Sequence, residues 1–425
     1  NLALQLVGLA IIAWSLVERP AEPLLKPARH LLWIAAAGIA VVALQLVPLP
    51  PSVWTRLGGR GVIAEGYDIL GMPLPWRPAS LAPYRTIDAL LGAIPPLAVL
   101  LGIVRLKANR GVYAAMAVLA GTVAGICLSA LQLSSAQAEQ SPWYIYPVSN
   151  VGFGVGFFAN ANHMASLLLV AVPFLMAMVA AAQRSHVQRY TAFLAMAAGT
   201  AVLLLLGLGL NGSLAGFGLF LPVAGASLLI VLPPRRNLRR AVATLSVVMA
   251  IGGVSLLAVT DIGRARFGSQ ADVSVQSRAQ MLGPTIDLGR QFAPLGSGVG
   301  TFRETYPLAE DPAAVSSIYV IHAHNDYAEW VMEGGLPAAL LILLFLAWWV
   351  RASIAAWRNS DAAAFARAAS IASAALLLHS MVDFPLRTSA LASVFALCVA
   401  LLADRRSPVA ANAGDLRPTR HVVIR

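Results

Sequence analysis

Charge is what this chain has least of. Asp, Glu, Lys and Arg make up 12% of its 425 residues, about half the share of an ordinary soluble domain, which excludes a conventional water-soluble globule. Cysteine is nearly absent as well. Cys127 and Cys398 both lie in apolar runs, where cysteine packs as a small hydrophobe, so the sequence supports neither a disulfide framework nor a cysteine metal site. No solenoid-type or inverted repeat stands out. Ionisable side chains are also nearly missing from the middle of the apolar runs. An ion- or proton-coupled carrier needs such groups near the bilayer midplane, so a transporter is disfavoured.

What the chain does have is apolar sequence in long blocks. Hydrophobic residues make up 58% of it, and runs cover 1–17, 31–47, 87–104, 112–132, 162–182, 191–209, 213–232, 240–259, 330–350, 365–382 and 388–403. Each is near the length a hydrocarbon core requires. They predict an all-α polytopic membrane protein of about 11–12 transmembrane helices. It forms a single integral-membrane domain over 1–403, followed by a basic tail at 404–425.

The net charge of +11 comes mainly from Lys and Arg in short turns between the runs, such as Arg105, Lys107 and Arg110, or Arg235, Arg236, Arg239 and Arg240. Positive-inside orientation accounts for these, and no nucleic-acid partner is called for. The basic turns then face the cytoplasm, leaving 48–86, 133–161, 210–212, 259–329 and 383–387 outside. Segment 48–86, rich in proline, reads as an ordered outer cap, and 259–329 as a large outer loop containing short helices. With Asn1 on the outside, one further span is expected ahead of it.

Polar chemistry concentrates at these outer segments. The densest stretch is His322-Ala323-His324-Asn325-Asp326-Tyr327, running on to Glu329, Trp330, Glu333, Gly334 and Gly335. Asp326, Glu329 and Glu333 share one helical face, with the histidines just ahead of the first turn. An imidazole titrating near pH 6.5 suits a general base; a metal ligand and a structural loop histidine remain as other readings. Arg264, Arg266, Arg278, Arg290 and Arg303 lie in the same loop, and a guanidinium can hold phosphate oxygens through paired donors. The run Gly296-Ser297-Gly298-Val299-Gly300-Thr301-Phe302 lacks nucleotide-loop spacing and reads as a turn that allows close backbone approach. Asn162 and His163 open the 162–182 span, where capping alone accounts for asparagine. His379 and Asp383, four apart, form a pair that either orients the imidazole or locks a helix end.

Taken together, several of these segments resemble the bacterial O-antigen ligase and O-antigen polymerase superfamily. The similarity is carried by Gln45 to Pro51 before Trp54, Asn160-Ala161-Asn162-His163, Pro294 to Phe302, His322 to Tyr327, and His379 to Arg387. Two ligase patterns occur in order in one outer loop: Arg-x3-Leu as Arg278 to Leu282, and His-x10-Gly as His324 to Gly335.

The resemblance implies a multi-pass protein of the bacterial inner membrane with its active site facing the periplasm. Its donor would be a glycan on undecaprenyl pyrophosphate, and its acceptor lipid A-core or another glycan. His324 and Arg278 would be catalytic, as base and pyrophosphate ligand. His322, Asn325, Asp326, Arg303, Arg387, His379, Asp383, Asn162 and His163 are the expected substrate-binding set. An inverting transfer needing no metal or nucleotide follows, because the lipid pyrophosphate is already an activated leaving group.

One position departs from the family. Ligases commonly carry Arg in the short turn that here reads Asn211-Gly212-Ser213-Leu214, and Leu214 cannot clamp a phosphate. Arg387, Arg303 or Arg85 is the expected replacement; a polymerase branch is the alternative, and a lipid-linked glycan transporter a more distant one.

Overall fold

A computed structural model describes residues 2–18, 23–106, 111–135, 137, 140–184, 189–232, 235, 237–238, 240–242, 244–245, 248, 280–312, 315, 320–358 and 364–404. Among these the chain is helical almost throughout, and its one sheet is a two-residue antiparallel ladder, Pro48–Leu49 against Arg77–Pro78. Seven helices are long and apolar enough to cross a membrane: Lys26–Leu44, Pro83–Arg105, Gly111–Leu133, Ala161–Arg184, Tyr190–Asn211, Leu214–Val231 and Asp326–Arg358. Leu2–Val17, Ala364–His379 and Ser389–Ala403 are shorter apolar helices. The expected span at 240–259 lies largely outside the described residues, as do Arg264, Arg266, Arg278 and the tail beyond Asp404.

Ala161–Arg184 is the centre of the bundle, with 78% of its apolar window buried where the other candidate spans bury a third or less. Gly111–Leu133, Tyr190–Asn211, Leu214–Val231 and Ala364–His379 pack around it. The last of these reads AFARAASIASAALLLH, and its small residues allow backbones to approach where lipid supplies no hydrophobic drive to association.

Local chemistry sets the breaks. Gly212, at φ 68, ends the Tyr190–Asn211 helix in the left-handed conformation that glycine adopts without a Cβ penalty. Ser213 then caps the next helix by accepting from the Gly216 N–H at 3.0 Å. Asn325 likewise caps Asp326–Arg358, its Oδ1 accepting from the Ala328 N–H at 2.9 Å.

That 33-residue helix is broken at Gly335, whose φ 62 and ψ −151 are non-helical. The break lets the Pro294–Gly300 loop press in: the Leu336 N–H reaches the Pro294 carbonyl at 2.8 Å, and a Cβ on Gly335 would run into that same oxygen.

The 45–86 segment grips this loop from the other side. Gln45 donates to the Glu333 carbonyl at 3.0 Å and accepts from the Val299 N–H at 2.9 Å. The buried Arg60 guanidinium donates to the carbonyls of Gly58, Ala79 and Gly296 at 2.6, 2.5 and 2.9 Å. Burial pulls its pKa down to about 10.

Candidate active site

The N-terminus of the Asp326–Arg358 helix organises the site. His324 stands two residues ahead of it with φ 50, and among the described residues no other non-glycine has a positive φ. Such a backbone costs energy that the surroundings must supply, and it is found preferentially where a side chain has to be aimed. Here it brings His324 Nδ1 to 3.3 Å from Oδ1 of Asp383, a carboxylate with no exposed surface, while the imidazole is 28% exposed. The ring's other nitrogen, Nε2, is thereby turned away from the carboxylate.

Asp383 also accepts from the Phe384 N–H at 2.8 Å. Burial pushes the Asp383 carboxyl pKa up, but the contact with His324 and the charges of His324, His163 and His379 more than reverse this. The net result holds it below the ordinary carboxylate range. The sequence had paired Asp383 with His379 as neighbours on one helix; the helix instead ends at His379, and His379 Nδ1 meets Ser166 Oγ at 2.7 Å.

Phe384 is the hub of the remaining histidines. Its ring lies 4.3 Å from His322, 4.9 Å from His324 and 5.0 Å from His163, centroid to centroid. His322 Nδ1 meets Glu329 Oε1 at 2.8 Å, so a second histidine is oriented by a buried carboxylate. His163 is buried at the start of the central helix, and its Nε2 has no hydrogen-bond partner among the described residues. Asn162 accepts from Ser213 Oγ at 2.7 Å, tying the central helix to the turn that carries Leu214.

Asp326, Glu329 and Glu333 share one helix face, as their spacing predicts, and that face closes on Arg387. Its guanidinium lies 3.6 Å from Asp326, 3.4 Å from Glu329 and 2.9 Å from Glu333. Burial would lower the Arg387 pKa; Glu329, Glu333 and Asp326 outweigh that and raise it.

Arg387 therefore does not serve as the free anion clamp expected in place of the missing arginine, because three carboxylates already surround it. Arg85 is held by Glu304 at 2.7 Å, and Arg303 lies exposed on the short Phe302–Thr305 helix. Asn325 and Asp326 also have structural partners: Asn325 donates to the Met381 carbonyl at 2.9 Å while capping its helix, and Asp326 accepts from Ser380 Oγ at 2.7 Å. Arg278 lies outside the described residues.

The chemistry this supports is proton transfer at a partly exposed imidazole that stands 3.3 Å from a buried carboxylate. Among the described residues no group of three or more His, Cys, Asp or Glu has a geometry that could hold a metal ion.

Compared with known protein families, residues 199–343 match the family model described as O-antigen ligase. Over that third of its length the chain is similar to O-antigen ligases. The matched stretch runs from the Tyr190–Asn211 helix past the break at Gly335 and so includes Arg278, His322 and His324. Two parts of the candidate site, Asn162 with His163 and His379 to Arg387, come from outside it and are brought in by the fold. The match supports an activity of the ligase or polymerase type in a multi-pass membrane protein, with lipid-linked glycans and their acceptors as the general substrate class. No curated protein matches the chain.

Proposed function

We propose that this protein transfers a glycan from undecaprenyl pyrophosphate to an acceptor hydroxyl at the periplasmic face of the bacterial inner membrane, with His324 as general base. The observation that carries this reading is the geometry of His324: a left-handed backbone, Nδ1 on a buried Asp383, a partly exposed ring, and the His-x10-Gly spacing to the helix break at Gly335.

In the proposed step, His324 Nε2 takes the proton of the acceptor hydroxyl as its oxygen attacks the anomeric carbon. The new glycosidic bond forms while the bond to the pyrophosphate oxygen breaks. The proton ends on His324, where Asp383 stabilises the imidazolium, and Arg278 receives the charge of the departing pyrophosphate. A single displacement inverts the anomeric centre. The pyrophosphate leaves as a weakly basic anion, so the step needs no metal.

Purified protein supplied with lipid-linked glycan and acceptor tests this directly: transfer should proceed in the presence of a chelator and be lost in Arg278→Ala. Undiminished transfer by that variant removes Arg278 from the mechanism, and loss under chelation favours a metal-dependent one.

The absence of arginine at Leu214 favours a second reading, a polymerase whose acceptor is another lipid-linked repeat. A lipopolysaccharide gel of a deletion strain separates the two. Loss of all attached O-antigen means ligase, retention of a single repeat means O-antigen polymerase, and an unchanged gel means an exopolysaccharide or protein acceptor.

A further inference from the structure

Beside the histidine cluster lies an apolar cleft of about 530 Å³, between Lys26–Leu44, Pro83–Arg105, Asp326–Arg358 and Ser389–Ala403. Its walls include Leu100, Phe345 and Phe395, and its volume falls within the range of small-molecule sites, about 300–1,000 Å³. Two glycines on the wall, Gly38 and Gly92, face open space: a Cβ built on either meets nothing within 4 Å. Between helices in a bilayer such a cleft is filled by hydrocarbon, because water there would lack polar partners.

The charges at the cleft decide which lipid. Its charged lining residues are Asp88, Asp326 and Arg387. Arg387 is already surrounded by Asp326, Glu329 and Glu333, so among the described residues lining the cleft no free positive charge remains to attract a phosphate. The exposed Asp88 side chain has no ion pair or hydrogen bond among the described residues. It lies two residues beyond Thr86, which donates to the Val299 carbonyl at 2.8 Å, so it stands at the same end of the bundle as the candidate site, where a headgroup would reach it. An exposed carboxylate at the mouth of an apolar cleft suits an ammonium and repels a pyrophosphate.

We propose that this cleft is a binding site for an aminophospholipid of the surrounding bilayer, with one acyl chain between the helices and its ammonium at Asp88. The inference does not depend on the transferase reading.

Native mass spectrometry of the purified full chain, offered dioleoyl phosphatidylethanolamine, dioleoyl phosphatidylglycerol or undecaprenyl phosphate, tests it without reading activity. Phosphatidylethanolamine should be retained about tenfold more tightly than phosphatidylglycerol, a difference of about 1.4 kcal/mol. Asp88→Asn should bring the two together, and Gly38→Trp, which projects into the cleft, should abolish retention of both. Gly92→Leu, also facing open space, is the milder filling variant should the tryptophan prevent folding. Equal retention of the two phospholipids by the unaltered protein, displacement of phosphatidylethanolamine by undecaprenyl phosphate, or undiminished retention by folded filling variants would each overturn the proposal.

Discussion

Replacing Asp383 with asparagine probes the carboxylate that orients the proposed base. Asparagine keeps the shape and can still accept from the Phe384 N–H, which Oδ1 now meets at 2.8 Å, so the turn after His379 should hold. What disappears is a unit negative charge 3.3 Å from His324 Nδ1. At an effective dielectric near 20 that separation corresponds to about 5 kcal/mol between full charges. His324 is 28% exposed, so solvent screens part of this, and about 2–4 kcal/mol should remain as lost stabilisation of the imidazolium formed in the transition state. The rate of transfer should therefore fall by about 30- to 700-fold, at roughly 1.4 kcal/mol per decade. The assay is single-turnover transfer from a labelled lipid-linked glycan at saturating acceptor, with the apparent acceptor KM determined in parallel. The loss should lie in the rate, with KM little changed. A rate for Asp383→Asn within threefold of the unaltered protein would refute the argument that this carboxylate supports the base.

Other consequences of the geometry are independent of that one. Arg387→Ala should leave three buried carboxylates without their cation and cost about 3–5 kcal/mol, seen as a sharply lower Tm and yield in detergent. Arg85→Ala, removing a part-exposed pair, should cost about 1 kcal/mol or less. Gly335→Ala should destabilise by about 2–4 kcal/mol, from a left-handed backbone and collision with the Pro294 carbonyl; an unchanged Tm would contradict the role assigned to the helix break. Asp383 has a folded-state pKa below its ordinary value. Its contribution to stability should be fully present above the ordinary carboxylate range and be lost as pH falls through the folded value. Denaturation at graded acid pH, compared with Asp383→Asn, checks the sign.

Much of the fold was legible in the sequence because bilayer crossing imposes length and hydropathy directly. Ten of the expected apolar runs coincide with helices among the described residues. The common face of Asp326, Glu329 and Glu333 was equally readable, since helical period alone puts them together. What that face meets was not readable. Arg387 lies 54 residues beyond Glu333, and only tertiary packing shows that it is enclosed by carboxylates rather than free to bind an anion.

The same limit explains Asp383. Four-residue spacing pointed to His379, whereas the helix stops there and a turn carries the carboxylate to His324. The glycines at 296, 298 and 300 were recognised as permitting close approach, and what approaches is the protein itself: Glu333, Ser80 and Arg85. Gln45 and Arg60, which clamp that loop, gave no chemical signal in sequence because the groups they hold there are the Glu333 and Gly296 carbonyls and the Val299 N–H, all more than 200 residues away.

The most direct test of the central claim is single-turnover glycan transfer by purified His324→Ala, with correct insertion verified by an unchanged elution profile and helical content. Loss of a positioned general base should lower the rate by about 10²–10⁴-fold. Transfer at the rate of the unaltered protein would contradict the assignment of His324 as the base.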